Sequence, residues 1–536
     1  MPEPRFSIVG SVSDPSPPML DEMLASVLGQ DFAEWELCLC VGGRAGPRVR
    51  EVLDRAAGED SRVRVSHCDL GGAAAVAEGL RMASGDFVGL LGDVDRLDRQ
   101  ALTNVDGALR LAPEADLIYS DEDEIDSEGR RSDSFFKPDI SPERLRAEPY
   151  TGRLSFFRRS LLEKVGGFSA SLGSAAEWDL VLRVSERARD ILHVPALLYH
   201  RRAGQAEGDL GSSNAKVQAV QAHCERIGLA ARVEADPRRP GGCRLRPALA
   251  ATPLVSIVIP TCGQSRAIRG ETKVLLLHCV RSILASSTYP DFEIVCVADE
   301  QTDPAMLEEL QTLGGEGLRV VAYDQPFNFS AKINLGAAHS SGEHLLFLND
   351  DMEVITPDWI ERMVMYSGHP GIGVVGAQLR WEDDRVQHAG IVLEKGLPGH
   401  IYYGAGGKLS GYARNVLVTQ NYLAVTGACL MTPRDVFERV GGFPVELPVN
   451  YNDVYYCLAV REQGGRVVYD ADTLLYHFES SSRDTKVNDW EKSMLLERWH
   501  SVTGADPYSN PGLRYGEPRP GLLRRGARFA KARLTR

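Results

Sequence analysis

Two adjacent carboxylates, Asp350 and Asp351, close the apolar run in "LLFLNDDMEV", Leu345 to Val354. The run reads as a buried strand, and two carboxylates side by side at its end repel each other and resist burial. A hard divalent cation would compensate both, because it takes a few oxygen ligands from the protein and leaves other positions for water and phosphate oxygens. Such an ion would also draw an anionic substrate to a chain whose net charge is −14. An isolated pair of aspartates can simply open a solvated turn, so the pair gains meaning only from its surroundings.

Those surroundings occur twice. "FSIV" at Phe6 recurs as "VSIVIP" at Val255, "WELCLCV" at Trp35 as "FEIVCVA" at Phe292, and "SGDFVGLLGDVD" at Ser84 as "SGEHLLFLNDD" at Ser341. "LLEKVGGF" then matches "VFERVGGF", and "ALLYH" matches "TLLYH", all in the same order. A period of roughly 250 to 280 residues marks a domain duplication, whereas solenoids repeat every ~20 to 50. In the second copy "LVSIVI", "FEIVCVA", "LRVVAY" and "HLLFLN" read as strands, with helices near Val274 to Ala285, Ala305 to Leu313 and Ser330 to His339. Alternating strands and helices build a mostly parallel sheet, and ligands of such sheets collect at the carboxyl ends of the strands. Thr261, Asp299 and the Asp350/Asp351 pair each follow a strand, so the fold itself would gather them.

A chain of 536 residues exceeds one hydrophobic core. Its 43% hydrophobic and 25% charged residues are ordinary for a globular protein, and its acidity argues against nucleic acid as a partner. No run reaches the ~18 apolar residues needed to span a bilayer, and "MPEPRFSIVG" lacks a signal-peptide pattern, so a cytoplasmic location is expected. The ten cysteines stand singly in apolar runs and read as reduced core residues. The "GIGVVG" at Gly371 follows a helical segment and leads into "AQLRW", so it lacks the context of a dinucleotide fingerprint and reads as a turn and strand. The acidic run "DEDEID" from Asp121 reads as a solvated loop.

Taken in order, "VSIVIPT", "PFNFSAKINLGAA", "LLFLNDDMEV", "PDWIERMV", "VQHAGIVL", "AVTGACLMTPRDVFERVGGF", "NYNDV", "LLYHFESSSR" and "ADPYSNP" resemble the family 2 glycosyltransferases, especially the two-domain bacterial kind associated with O-antigen and other surface polysaccharides. The resemblance implies an α/β chain with two tandem GT-A domains, Rossmann-like and mostly parallel in their sheets. It divides the chain into an N-terminal domain over 1–205, a helix and hairpin linker over 206–252, a C-terminal domain over 253–511 and a basic tail over 512–536. It further implies an inverting transfer of sugar from a nucleotide-diphosphate donor to a growing glycan or lipid-linked acceptor, assisted by Mg²⁺ or Mn²⁺. Carried over residue by residue, Asp351 is the metal-binding aspartate, with His477 a further metal or diphosphate contact. Asp350 or Asn349 lies near the ribose, Thr261 and Asp299 contact the base, and Asn334 shapes the nucleotide pocket. Asp453 in "NYNDV" is the catalytic base, although it or Asn452 could also cap the helix that follows. His388 lines the acceptor side or simply packs.

Both copies depart from the family pattern. In the first, Gly10 stands where proline is usual, Val41 and Gly42 replace aspartates, and Val94 takes the metal-binding position, while Glu177 keeps a carboxylate at the position of the base. This copy is expected to be degenerate. In the second, Ala298, Tyr455 and Ala459 replace an aspartate, an acidic residue and an arginine. The competing reading is a glycan-binding or assembly scaffold in which neither copy turns over. In the tail, Leu522, Leu523, Phe529 and Leu534 alternate with arginines and a lysine, a pattern suited to peripheral contact with the inner face of an anionic membrane.

Overall fold

In a computed structural model that describes residues 3–204, 212–394, 396–478, 487–503 and 506–513, the chain forms two compact units. The first takes the described residues up to Ile227 together with Arg232–Leu245 and Asn510–Leu513; the second takes most of the remainder. The helix Ser212–Ile227 and the hairpin of Ala231–Ala235 with Cys243–Pro247 stand where the sequence placed a linker, and they group mainly with the first unit. The basic segment from 514 onward lies outside the described residues.

Each unit is an α/β domain built on one large sheet. In the first the strands run Val63–His67, Trp35–Val41, Phe6–Val12, Phe87–Leu90, Ser155–Arg158, Ala115–Ile125, Asp190–Arg202 and Arg96–Leu97. In the second they run Leu318–Tyr323, Phe292–Asp299, Val255–Thr261, His344–Leu348, Cys429–Pro433, Ile372–Arg380, Arg466–His477 and Met352–Val354. The first four strands of each sheet are parallel throughout. The fifth turns back antiparallel, and the far half of each sheet is mixed. The inner parallel strands are buried along nearly their whole length, as expected where helices cover both faces, while the outermost, Val63–His67 and Leu318–Tyr323, are partly exposed. The three helices expected in the second copy are Leu275–Ser286, Pro304–Gly314 and Phe329–Ala338, and the "GIGVVG" segment belongs to the strand Ile372–Arg380.

The duplication is visible in hydrogen bonds as well as in sequence. In the first unit Glu36 Oε1 accepts from Ser7 Oγ (2.7 Å) and Ser84 N (2.6 Å), while Gly85 N donates to Ser7 Oγ (2.9 Å). In the second Glu293 Oε1 accepts from Ser256 Oγ (2.8 Å) and Ser341 N (2.6 Å), while Gly342 N donates to Ser256 Oγ (2.7 Å). The same clamp therefore ties the start of three strands in each copy. Helix and sheet also approach closely at equivalent points, since a Cβ at Gly79 would lie 2.7 Å from Val9 Cγ1 and one at Gly336 closer still to Val258 Cγ1.

Three readings of the sequence are corrected. Phe6 pairs with Trp35 as Val255 pairs with Phe292, so the position of Pro260 falls on Ser11, one residue after Gly10. Cys40 and Cys68, at the ends of neighbouring parallel strands, are joined by a disulfide with Cα atoms 6.6 Å apart; the other eight cysteines form no disulfide, and only Cys262 among them is exposed.

The third correction concerns the acidic run. It is a sheet strand, with Asp121 and Asp123 essentially buried and each carboxylate partnered. Asp121 Oδ1 lies 2.9 Å from His193 Nε2 and accepts from Lys137 N (2.8 Å), while Asp123 lies 2.6 Å from His200 Nδ1 and 2.5 Å from Arg131 Nε. Glu122 pairs with Lys137 at 3.0 Å, and Glu124 pairs with Arg201. Asn510, from the far end of the chain, completes the group by donating to both oxygens of Asp121 (3.1 and 3.0 Å). The charges cluster because their partners lie on a neighbouring parallel strand and a nearby loop, which local sequence does not reveal.

Burial opposes protonation of His193, but Asp121 and Asp139 outweigh it and hold the imidazole above its ordinary range. A folded-state pKa above the unfolded value stabilises fully below the unfolded pKa of about 6.5 and is lost as pH rises through the folded value. Substituting His193→Gln should therefore destabilise the first unit most below about pH 6.5, with the difference shrinking as pH rises. Chemical unfolding at several pH values checks this, and a difference independent of pH would contradict it.

Candidate functional site

In the second unit the buried strand His344–Leu348 ends at Asn349, and the chain returns as Met352–Val354, antiparallel to Arg466–His477 with Met352 opposite His477. This register sets the side chain of Asp351 beside that of His477, with Asp351 Oδ1 3.1 Å from His477 Nε2. His477 Nδ1 lies 2.6 Å from Gln387 Oε1, an acceptor, so Nδ1 carries a proton, and Nε2 faces Asp351 and, at 3.2 Å, Asn349 Nδ2. A proton or a metal ion between Nε2 and the carboxylate would satisfy both. Asp351 is 5% exposed, so water screens it little. Asn349 Oδ1 is also buried and has no hydrogen-bond partner among the described residues.

This donor set fits a hard divalent cation. A carboxylate and an imidazole are ligands for Mn²⁺ or Mg²⁺ that leave most positions open. Among the described residues no three His, Cys, Asp or Glu side chains gather tightly enough to hold an ion alone. Phosphate oxygens and water would have to complete the shell.

A second group sits at the ends of the neighbouring parallel strands. Thr261 Oγ1 donates to Asp350 Oδ2 (2.6 Å) and accepts from Gly263 N (3.0 Å). Lys332, fully buried on the helix Phe329–Ala338, donates to Thr261 O (2.8 Å) and pairs with Asp299 Oδ1 at 2.5 Å. Its ammonium also lies 5.4 Å from the ring centre of Tyr323. Lys332 thus holds two strand ends in fixed relation, and the sequence reading passed over it. The available signal was a lysine between Ala331 and Ile333 on a mostly apolar helix, where an unpaired charge would be costly.

Asp453 lies in the first turn of the helix Asn452–Glu462, whose N-cap residue is Tyr451. Neither Asn452 nor Asp453 is the cap. Asp453 Oδ2 instead accepts from Gly427 N (2.9 Å), and Asn452 Nδ2 donates to Leu447 O and Val449 O (3.4 and 3.3 Å). Tyr451 holds φ at 61°, a left-handed conformation that costs a non-glycine residue about 1 kcal/mol and is found where a chain must turn sharply into a site. Asp453, Asn349 and His477 line one cleft of about 250 Å³ with Thr426, Gly427 and Ala428.

The remaining expected residues lie elsewhere. Asn334 spends its amide on Phe443, donating from Nδ2 to Phe443 O (2.9 Å) and accepting at Oδ1 from Phe443 N (2.9 Å). It fixes the turn after "VGG" and does not line the cleft. His388 is buried behind the cleft, and its Nδ1 lies 3.0 Å from His400 Nδ1. Burial, reinforced by His400 and His477, pushes the His388 imidazole well below its ordinary range and keeps it neutral. The histidine of this pair that lines the cleft is His400. In the first unit the copied positions have lost these groups together, since Gly42 stands for Asp299 and Ala75 for Lys332.

The sequence profile described as "Glycosyl transferase family 2" matches residues 15–166 and 256–441. "O-antigen biosynthesis protein RfbC" of Myxococcus xanthus is 37% identical over 524 residues, covering 95% of this chain and 40% of that protein. "Uncharacterized protein y4gI" of Sinorhizobium fredii (strain NBRC 101917 / NGR234) is 36% identical over 534 residues, covering 95% of this chain and 58% of that one. The chain thus spans less than two thirds of either relative. Among solved structures, a mannosyltransferase from Pyrobaculum calidifontis in complex with GDP-Man and Mn²⁺ is similar at TM-score 0.33 and 15% identity, covering 47% of this chain and 71% of that one.

Replacing Lys332 by Met removes the partner of Asp299 and leaves Thr261 O without its donor. The loss should destabilise the second unit by about 3 kcal/mol, the low end for breaking a buried pair because Asp299 keeps some contact with solvent. Denaturant unfolding measures it, and a change below about 1 kcal/mol would remove Lys332 from its organising role.

Proposed function

The chain belongs to glycosyl transferase family 2, and from that membership we propose that its second unit transfers a sugar from a nucleoside-diphosphate donor to a hydroxyl of a growing surface glycan or lipid-linked acceptor, with inversion at the anomeric carbon. The observation that carries the reading is the single cleft lined by Asp453 on one helix start and by Asn349 and His477 at the strand ends, with Asp351 paired to that histidine. The first unit serves as a degenerate, structural copy.

The nucleoside would bind near Thr261 and Asp299, whose relation Lys332 fixes, and its ribose near Asp350 or Asn349. Among the described residues Asn349 Oδ1 has no donor, which a ribose hydroxyl could supply. The diphosphate would lie toward Asp351 and His477, the residues that would hold Mg²⁺ or Mn²⁺. A bound cation there would offset the charge that develops on the leaving diphosphate. Gln387, by accepting from Nδ1, keeps His477 Nε2 turned into the site.

Asp453 would accept the proton. As the acceptor oxygen attacks the anomeric carbon, its O–H proton passes to a carboxylate oxygen of Asp453, the new C–O bond forms and the bond to the diphosphate oxygen breaks. One displacement from the opposite face inverts the carbon. Asp453 Oδ2 accepts from Gly427 N and Oδ1 from Val454 N, so both oxygens are held in place and the acceptor hydroxyl would use a remaining lone pair. Asn334 belongs to the framework in this account, acting on the pocket through the Phe443 turn.

Release of nucleoside diphosphate from a nucleotide-sugar panel, assayed with Mn²⁺, tests the reading. Asp453→Asn should lower turnover by about 10² to 10⁴ while nucleotide binding persists, since it removes only the base. Asp351→Ala should weaken both binding and turnover. Full activity in Asp453→Asn, or loss of nucleotide binding in that variant, would overturn the assignment.

A further inference from the structure

The registers of the two sheets fix which residues of the first unit correspond to the second cleft. Phe87 pairs with Arg158 as His344 pairs with Pro433, so Arg153 corresponds to Ala428, Gly92 to Asn349 and Val94 to Asp351. The three positions change as a set. Val94 removes the carboxylate, and the cleft-floor alanine becomes an arginine whose Nη1 lies 3.2 Å from Asp95 Oδ2. Glycine at 92 is what makes room for that pair, because a Cβ there would lie 2.5 Å from Arg153 Nη1 and closer still to Asp95 Oδ2.

Asp95 is fully buried and heavily used: Oδ2 accepts from Tyr199 OH (2.6 Å) and Oδ1 from Arg202 N (2.8 Å). Tyr199, Glu177 at the position of Asp453, and Asp95 all act electrostatically on Arg153. Beside them, burial pushes the Asp93 carboxyl above its ordinary range, and Asp95 adds to the shift. These acidic groups therefore face a guanidinium which, though its side chain is 42% exposed, stays charged at any working pH and is tethered to the chain. A divalent ion entering the same place would meet that fixed charge at short range and would find no carboxylate at 94.

We propose that Arg153 is a built-in cation filling, in the first unit, the place that a metal would take in the second, so that the first unit neither needs nor binds a divalent ion. A metal does not fit this copy. The comparison rests on the metal reading of the second unit, but the exclusion rests on the first unit's own geometry.

Mn²⁺ retained by the full chain on equilibrium dialysis against Mn²⁺ and UDP, which supplies the phosphate oxygens that the shell needs, tests the proposal in an Asp351→Ala background that silences the second site. That chain should bind no Mn²⁺, and adding Val94→Asp alone should still give none. Adding Val94→Asp with Arg153→Ala should create one Mn²⁺ site per chain. Arg153→Gln serves as the second variant, because it removes the charge yet can still donate to Asp95, and cooperative unfolding confirms that either chain is folded. Stoichiometric Mn²⁺ in the Asp351→Ala chain that Asp93→Asn abolishes would overturn the proposal. So would binding by Val94→Asp with Arg153 in place, or no gain in the folded combined variants. Titration of the unmodified chain reads the second unit separately, so failure of the proposed function would appear there and not in these variants.

Discussion

The antiparallel pairing of Met352 with His477 is the constraint on which the second cleft depends. It turns a buried parallel strand back on itself within three residues, and so carries Asn349, Asp350 and Asp351 to the sheet end beside a strand that arrives from more than a hundred residues later. The hydrogen-bond ladder, not the side chains, sets that position. Once it is set, Asp351 Oδ1 and His477 Nε2 face each other at 3.1 Å, and neighbouring groups fall into place: Gln387 behind the imidazole, Thr261 on Asp350, Lys332 across to Asp299.

Charge compensation explains how one fold supports two outcomes. Both copies gather carboxylates at the same strand ends, and both must neutralise them in a region that water reaches poorly. The second unit uses Lys332 for Asp299 and leaves Asp351 and His477 open to an exchangeable cation. The first deletes the Asp299 and Lys332 positions as a pair and covers Asp95 with Arg153, Tyr199 and the Arg202 amide. The sheet and its serine–glutamate clamp stay the same in both units while the strand ends differ.

The two-domain plan was legible because strand periodicity and the duplicated order of motifs are local signals. The strand-end carboxylates were legible for the same reason, since an apolar run ending in "NDD" raises a charge problem on its own. What local sequence could not carry were partners that meet only in three dimensions. The "DEDEID" run reads as solvated until His193, His200, Lys137 and Asn510 arrive from elsewhere. Asn334 meets Phe443 from more than a hundred residues away, and Arg153 meets Asp95 only through the register of the sheet. Lys332 alone could have been suspected, because a lysine amid apolar helix neighbours implies a partner.

Thermal unfolding of the full chain against UDP, TDP, GDP and CDP, each with and without Mn²⁺ and each repeated for Asp351→Ala, addresses the central claim most directly. A ligand at ~100 times its dissociation constant adds about 2.7 kcal/mol to the unit that binds it. The account predicts stabilisation of one transition by one nucleotide, requiring both the metal and Asp351. Stabilisation that survives Asp351→Ala unchanged, or none from any nucleotide with Mn²⁺, would contradict it.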